Sequence, residues 1–302
     1  MSRSSNDVLA IGLGTCAAAV GVRPTRLQYL LRLAQRVRQG EKVVAAPSSL
    51  PPVVEHASIA MVEAQHFSEQ GALDVLGQAL EQAPGVPGRS TQSKRRAFIV
   101  LDDFWANHGI LRGDFRTMRT REVEDIARSY FAETFGLDGD AIVIRTVMQR
   151  GGRAMFASAL SRSLHDGIRD VSAAARVEVQ SLMLGLPQAM NRARHCVDGS
   201  ASMLVVVAET VLHAVLIDHN RWAAYGAHRL FADDVADTLR LAAIAEQVFE
   251  RFSKTRREDC TIYLGGIDLD PSAFEQRFAT VRRLQQIVSS ASAPLRLMGF
   301  AL

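Results

Sequence analysis

The chain of 302 residues is 48% hydrophobic and 22% charged, proportions typical of a folded globular protein and not of a disordered one. Its net charge is only +3, and the basic run Lys94-Arg95-Arg96 has no interleaved aromatic residues, so the sequence does not indicate nucleic-acid binding. The three cysteines lie far apart, and no apolar run reaches the roughly 18 residues of a membrane span. We therefore expect a cytoplasmic protein without a disulfide framework.

The first third of the chain is predicted to form three strands and then a helix. Apolar and small-residue runs predict strands at 8–11, 16–22 and 27–33, and leucines at helical spacing predict a helix at 68–83. Leu30 interrupts the apolar alternation of the third strand, so a helix is an alternative prediction for residues 27–33. A proline-rich loop at 45–56 and a polar linker at 83–96 separate these elements.

The middle of the chain alternates between strands and helices. The pattern predicts strands at 97–105, 141–148, 154–160 and 177–182, and helices at 120–135, 163–174 and 185–195. The second and third of these strands form a hairpin around Gly151-Gly152.

The last third repeats the order seen at the start. It is predicted to contain strands at 202–209, 211–218, 221–230, 260–267 and 294–302, and helices at 232–253 and 271–289. Both ends therefore show three meandering strands, a helix and a further strand, although the two sequences share little identity. This order predicts a mixed α/β protein with an internal duplication.

This order resembles the actin-like ATPase pattern, in which two ribonuclease H-like halves carry facing phosphate-binding hairpins. The resemblance rests on three stretches: the opening "AIGLGTCAAAVGVRP", the region from "EVQSLMLGLPQAM" to "RWAAYGAHRL", and the terminal "LRLMGFAL". Within that superfamily the chain is similar to the PilM proteins of type IV pilus assembly and to the cytoplasmic part of the GspL proteins of type II secretion.

The resemblance implies an actin-like duplicated ribonuclease H-like fold with mixed sheets and an inserted α+β subdomain. Residues 1–96 would begin the first half. Residues 97–195 would hold the inserted subdomain and the remainder of the first half, and residues 196–302 would form the second half.

The opening hairpin departs from the pattern of a working actin-like ATPase. Such an enzyme uses Asp-x-Gly in both hairpins, where each Asp holds a divalent metal or its waters and each Gly lets backbone N–H groups approach phosphate. Here Gly12 stands in the Asp position, while Gly14 and Thr15 remain. A tight hairpin that needs glycine for its geometry explains the pattern better than a working phosphate site does. The sequence predicts no metal site.

The second half departs further from the pattern of a working actin-like ATPase, and only its pair of glycines matches. Val207, Ala208 and Glu209 match the second hairpin, and no glycine stands where phosphate would approach. Gly265 and Gly266 end a strand as the adenosine motif of the superfamily does, or simply turn that strand into a loop. The candidate nucleotide-binding residues are therefore Gly12, Gly14, Thr15, Gly265 and Gly266.

Other candidate groups do not form a catalytic set. Asp102 and Asp103 follow a strand, but neighbouring residues on a strand point to opposite faces, so we expect a surface turn there. His213 lies on an apolar strand and is expected to be a hydrogen-bonded core residue. No Gly-x-Ser-x-Gly elbow and no metal-binding histidine spacing occurs in the sequence.

Two functions remain open. The resemblance implies a cytoplasmic actin-like scaffold of a type IV pilus or type II secretion-like machine, with no cofactor. It would bind the N-terminal segment of an inner-membrane partner of the PilN type, be peripheral to the membrane through that partner, and self-associate. The alternative is an actin-like protein that binds ATP or hydrolyses it weakly.

Overall fold

A computed structural model describes residues 8–22, 56–83, 95–197, 201–253 and 255–302. Its strands are β1 (Val8–Leu13), β2 (Ala17–Val22), β3 (His56–Ala60), β4 (Arg95–Leu101), β5 (Ala106–Arg112), β6 (Ile142–Met148), β7 (Ala154–Ser161), β8 (Val177–Leu184), β9 (Ser202–Val207), β10 (Val211–Asp218), β11 (Arg221–Arg229), β12 (Thr261–Ile267) and β13 (Thr280–Ser289). Its α-helices are α1 (Glu69–Glu81), α2 (Thr120–Phe135), α3 (Arg162–Ala174), α4 (Gly185–Ala193), α5 (Ala232–Ala236), α6 (Thr238–Phe252), α7 (Ser272–Glu275) and α8 (Ala293–Ala301).

The chain divides into two compact units. The first takes in Met1–Asp102, Asp166–Gly185 and Ser292–Leu302, and the second takes in Asp103–His165 and Leu186–Ala291. In the described part of the chain, no helix is both long and apolar enough to span a bilayer.

The first unit is built on a five-stranded mixed sheet in the order β3-β2-β1-β4-β8. The first three strands pair antiparallel, whereas β4 pairs parallel with β1 and β8 pairs parallel with β4. Helix α8 packs on β1, β2 and β4 through Leu297, Met298 and Ala301, which meet Ala10 and Val100. The small alanines of the sheet let this helix approach closely.

The second unit repeats that sheet, in the order β11-β10-β9-β12-β13 and with the same parallel and antiparallel pairings. It also contains a three-stranded antiparallel sheet, β5-β7-β6. Helix α2 packs on that small sheet through Val123, Ala127 and Phe131. The identical strand orders confirm the duplication, and the segment from β5 to β7 is the α+β insertion.

The third strand of the first sheet is His56–Ala60, whereas the predicted strand at 27–33 lies outside the described residues. Three predicted elements in the last third of the chain differ from the structure. The strand predicted at 294–302 is wrong, because Ala293–Ala301 form helix α8, whose first turn accommodates Pro294. The helix predicted at 232–253 is two helices, α5 and α6.

The predicted helix at 271–289 is wrong beyond Glu275, because residues 280–289 form strand β13. A register shift opposite Leu264 and Gly266 bulges β13, so its buried Leu284 and Ile287 stand three apart and imitate helical spacing.

Candidate functional site

The opening hairpin of the first unit is held by its own carbonyl groups. Within the turn, Gly14 N donates to Ala17 O at 2.9 Å. The segment after β3 also bonds to the turn: Met61 N donates to Cys16 O at 2.8 Å, and Phe67 N donates to Thr15 O at 3.1 Å. Among the described residues, no acceptor receives the N–H groups of Thr15 and Cys16. These two N–H groups are the candidate anion donors of the hairpin; Thr15 has 7% of its surface exposed, and Cys16 is half-buried.

Position 12 has no room for a side chain. A Cβ atom built on Gly12 would lie 1.9 Å from Pro294 O and 2.4 Å from Met298 N, which are backbone atoms of helix α8. Backbone atoms cannot swing aside as a side chain does, so glycine is required for the helix to seat on β1. The carboxylate that would organise a metal in an actin-like ATPase does not fit here.

The second hairpin matches the first one residue earlier than the sequence comparison suggested. Ala208 N donates to Val211 O at 2.9 Å, the same bond that Gly14 makes to Ala17, so Ala208 takes the place of Gly14. The strand register agrees, because Leu13 pairs with Ala18 and Val207 pairs with Leu212. Buried Val206 therefore stands in the place of Gly12, and this hairpin has neither the carboxylate nor the glycine.

The glycine pair at the end of β12 serves close packing within the second unit. A Cβ atom on Gly265 would lie 2.2 Å from the Ile287 side chain, and one on Gly266 would lie 1.9 Å from Val207 O. Gly266 also has a φ of +97°, which disfavours any L side chain. Gly266 therefore packs against Val207, at the start of the second hairpin. Three other candidate residues, Gly12, Gly14 and Thr15, lie in the first hairpin.

The expectation of a surface turn at Asp102 and Asp103 is wrong. Both residues are buried, with 3% and 8% of their surface exposed. Asp102 N extends the sheet by donating to Leu13 O at 2.9 Å. The Asp103 carboxylate accepts from Leu186 N at 2.6 Å, at the first turn of α4, where the positive end of the helix favours an anion.

Asp103 belongs to a buried polar cluster that sequence reasoning did not find. His108 Nε2 lies 2.9 Å from Asp103 Oδ1, and His108 Nδ1 lies 2.8 Å from Ser158 Oγ. His213 stacks on Tyr225, with Nδ1 3.0 Å from the phenol oxygen, and its Nε2 lies 4.0 Å from Asp103 Oδ2. The cluster joins β5 and β7 of the insertion to β10 and β11. The prediction of a core histidine at 213 is confirmed.

Burial controls the protonation of this cluster. Loss of water lowers the pKa of His213 to about 4, and the nearby Asp103 carboxylate opposes this shift only in part. Burial also raises the pKa of the Tyr225 phenol well above its usual value, with the Asp103 charge acting in the same direction. At neutral pH, His213 is therefore a neutral imidazole.

The Asp103, His108 and Ser158 side chains have the composition of a hydrolase triad but not its setting. His108 and Ser158 have only 2% and 5% of their surface exposed, so no substrate reaches the hydroxyl group. The imidazole is also reversed, because Ser158 meets Nδ1 and Asp103 meets Nε2, opposite to the usual triad. The set is a structural hydrogen-bond network.

In the described ranges, no group of three His, Cys, Asp or Glu residues is placed to hold a metal ion. The chain thus offers backbone N–H groups at the first hairpin but no assembled set of metal ligands in those ranges.

No protein-family model and no curated protein sequence matches this chain. Solved structures do match. A Bacteroides thetaiotaomicron protein with the actin-like ATPase fold and unknown function aligns with a TM-score of 0.61 at 8% identity, covering 98% of this chain and 96% of the other. A chain of the PilM-PilN type IV pilus biogenesis complex aligns with a TM-score of 0.55 at 12% identity, covering 97% of each.

The cytoplasmic domain of EpsL, from the type II secretion system of Vibrio cholerae, aligns at a TM-score of 0.49 and 9% identity, covering 97% of this chain and 93% of that domain. The two closer alignments extend over nearly the whole of each chain and agree with the duplicated sheet order described above. The chain has the actin-like ATPase fold.

Proposed function

We propose that this protein is an actin-like scaffold of a pilus or secretion-type assembly machine and that it does not hydrolyse ATP. It would act in the cytoplasm, bound to the inner membrane through a partner of the PilN type, and self-associate as the machine assembles. The observation that carries the proposal is the contact of helix α8 with Gly12: the backbone of this helix occupies the space that a metal-organising carboxylate at position 12 would need.

The assembly role draws on the likeness to a chain of the PilM-PilN complex. That likeness covers 97% of both chains, so it includes the insertion as well as the two sheets. A fold can host many functions, so the partner has to be tested directly.

The absence of hydrolysis draws on both hairpins. Phosphoryl transfer depends on metal ions that bridge the phosphates and on a group that orients water. Position 12 admits no side chain, and Val206 takes the equivalent place in the second hairpin. We therefore expect that Gly12→Asp would unseat α8 rather than create a metal site.

A second function, ATP binding without efficient turnover, is favoured by one observation. The N–H groups of Thr15 and Cys16 have no acceptor among the described residues, so they remain available to a phosphate. Nucleotide at about 100 times its dissociation constant would stabilise the fold by roughly 2.7 kcal/mol. Unchanged thermal stability at millimolar ATP and magnesium would exclude this second function.

The scaffold function is tested by capture with a peptide. The N-terminal cytoplasmic segment of a co-encoded PilN-like membrane protein is immobilised beside a scrambled peptide of the same composition, and the purified full-length chain is passed over both. We expect saturable binding to the native peptide alone. Equal retention by both peptides, or by neither, would overturn the partner assignment.

A further inference from the structure

A cavity of about 400 Å³ lies in the second unit, lined by residues of three segments. The end of β5 supplies Arg112, the β6–β7 turn supplies Gln149 and Arg153, and the start of β11 supplies Arg221 and Trp222. Its volume falls within the range of small-molecule sites. None of the residues discussed above as candidate nucleotide-binding groups lines it.

The lining is strongly biased toward positive charge. Three arginines, Arg112, Arg153 and Arg221, line the cavity together with a single carboxylate, that of Asp218, which lies 2.7 Å from His219 Nδ1. Within the described ranges, Arg153 and Arg221 have no salt bridge. Hydrogen bonds from Arg116 lower the pKa of the Asp114 carboxyl group, and the charge of Arg153 contributes a little to that shift. That carboxylate is bound by Arg116, whose Nε lies 2.8 Å from Asp114 Oδ1. Unpaired like charges in one cavity repel, and an anion would relieve that repulsion.

The cavity is framed before any ligand arrives. Arg112 donates from Nη2 to Ala223 O, and Gln149 donates from Nε2 to Asn220 O at 3.4 Å, so the insertion is bonded both to the β10–β11 turn and to the start of β11. The tip of that turn is fixed by the left-handed residues His219 and Asn220, with φ of 47° and 60°, as in a two-residue hairpin loop. A preformed frame lowers the entropy cost of binding.

We propose that this cavity binds a small organic anion with at least two phosphate or carboxylate groups. Arginine presents a planar fork that holds such oxygens in pairs, and it keeps its charge at any physiological pH. Trp222, half-buried and packed edge-on against Phe156, offers an aromatic wall for the rest of the ligand. The site is independent of the proposed scaffold function.

Tryptophan fluorescence can report on the cavity, because the chain has only two tryptophans. Trp105 Nε1 is buried without a hydrogen-bond partner, so Trp105→Phe loses no such bond and leaves Trp222 as the reporter. In this background, pyrophosphate and citrate are titrated separately at low ionic strength, to distinguish phosphate from carboxylate recognition. The site variant is Arg153→Gln with Arg221→Gln. The matched control is Arg121→Gln with Arg145→Gln, exposed arginines of the insertion that do not line the cavity.

We expect saturable quenching by at least one probe. Its dissociation constant should rise at least about tenfold in the site variant, and it should change less than about threefold in the control. All variants are checked for unchanged melting temperature. The absence of saturation at millimolar concentrations of both probes, or an equal weakening in the two double variants, would overturn the proposal, because the second result reports only net charge.

Discussion

Gly12 and Gly266 both stand where a neighbouring backbone passes too close for a Cβ atom. At Gly12 the neighbour is helix α8, and at Gly266 it is Val207 of strand β9. The sequence revealed glycines typical of phosphate hairpins but not the backbones packed against them, since that contact arises between segments far apart in the chain. Packing alone is therefore sufficient to require both glycines.

Gly12→Ala is expected to lower the free energy of unfolding by about 2–3 kcal/mol, because the added methyl group meets two backbone atoms of α8. Gly77→Ala in α1 is the control, since its Cβ would have only an ordinary contact at 3.7 Å and should stabilise the helix by about 0.5–1 kcal/mol. Urea unfolding measures both variants. Equal effects would show that α8 does not press on Gly12.

Gly266→Ala separates close packing from backbone strain. Gly151 has nearly the same φ, +95° against +97°, but nothing lies within 4 Å of its Cβ position. Gly151→Ala should therefore cost only the strain, about 1–2 kcal/mol, whereas Gly266→Ala adds a clash worth about 1–3 kcal/mol more. Chemical unfolding of the two variants gives the difference, and a Gly266 variant no less stable than the Gly151 variant would contradict the packing.

His213 should make stability fall in acid. Its folded pKa of about 4 lies below the ordinary 6.5, so the unfolded chain takes up the proton first. The contribution of the neutral His213 imidazole to the free energy of unfolding is complete above pH 6.5 and is lost as the pH falls toward 4. Between pH 7 and pH 5 the wild-type protein should therefore lose about 2 kcal/mol of stability through this residue, and His213→Gln should abolish that loss. Exposed His228→Gln is the control and should keep the wild-type profile; an unchanged profile in the His213 variant would contradict this account.

At the scale of elements, Asp103 connects the first turn of α4 to strand β5. Replacing it with Ala leaves both Leu186 N and His108 Nε2 without their acceptor, so Asp103→Ala should destabilise the fold by about 3 kcal/mol or more. Ser68→Ala, which removes an ordinary cap from α1, should cost about 1 kcal/mol. Thermal unfolding compares them, and an Asp103 variant as mild as the Ser68 variant would show that the cluster contributes little.

Most elements could be predicted from periodicity, and the failures have local causes. Helix α2 begins and ends as predicted, because its apolar spacing is regular and Gly136 stops it in a left-handed cap. The helix predicted at 232–253 is two helices, since Asp237 takes an extended conformation and caps α6. The buried cluster could not be predicted, because its residues come from segments that meet only in the folded protein.

At the scale of the whole molecule, the duplication was visible in the order of elements before it was visible in any residue. Both five-stranded sheets have the same strand order and pairing although their sequences differ. Topology depends on the apolar pattern of each strand, which tolerates many substitutions. A phosphate hairpin depends on single residues, and here Gly12 and Val206 stand at the two carboxylate positions and Ala208 at the glycine position of the second hairpin.

The most direct test of this account is the rate at which the purified chain releases phosphate from ATP, with and without Mg²⁺. The account predicts no release above the buffer rate in either condition, because no carboxylate can occupy position 12. Mg²⁺-dependent release that co-purifies with the chain, and that Thr15→Val or Glu209→Gln abolishes, would contradict it.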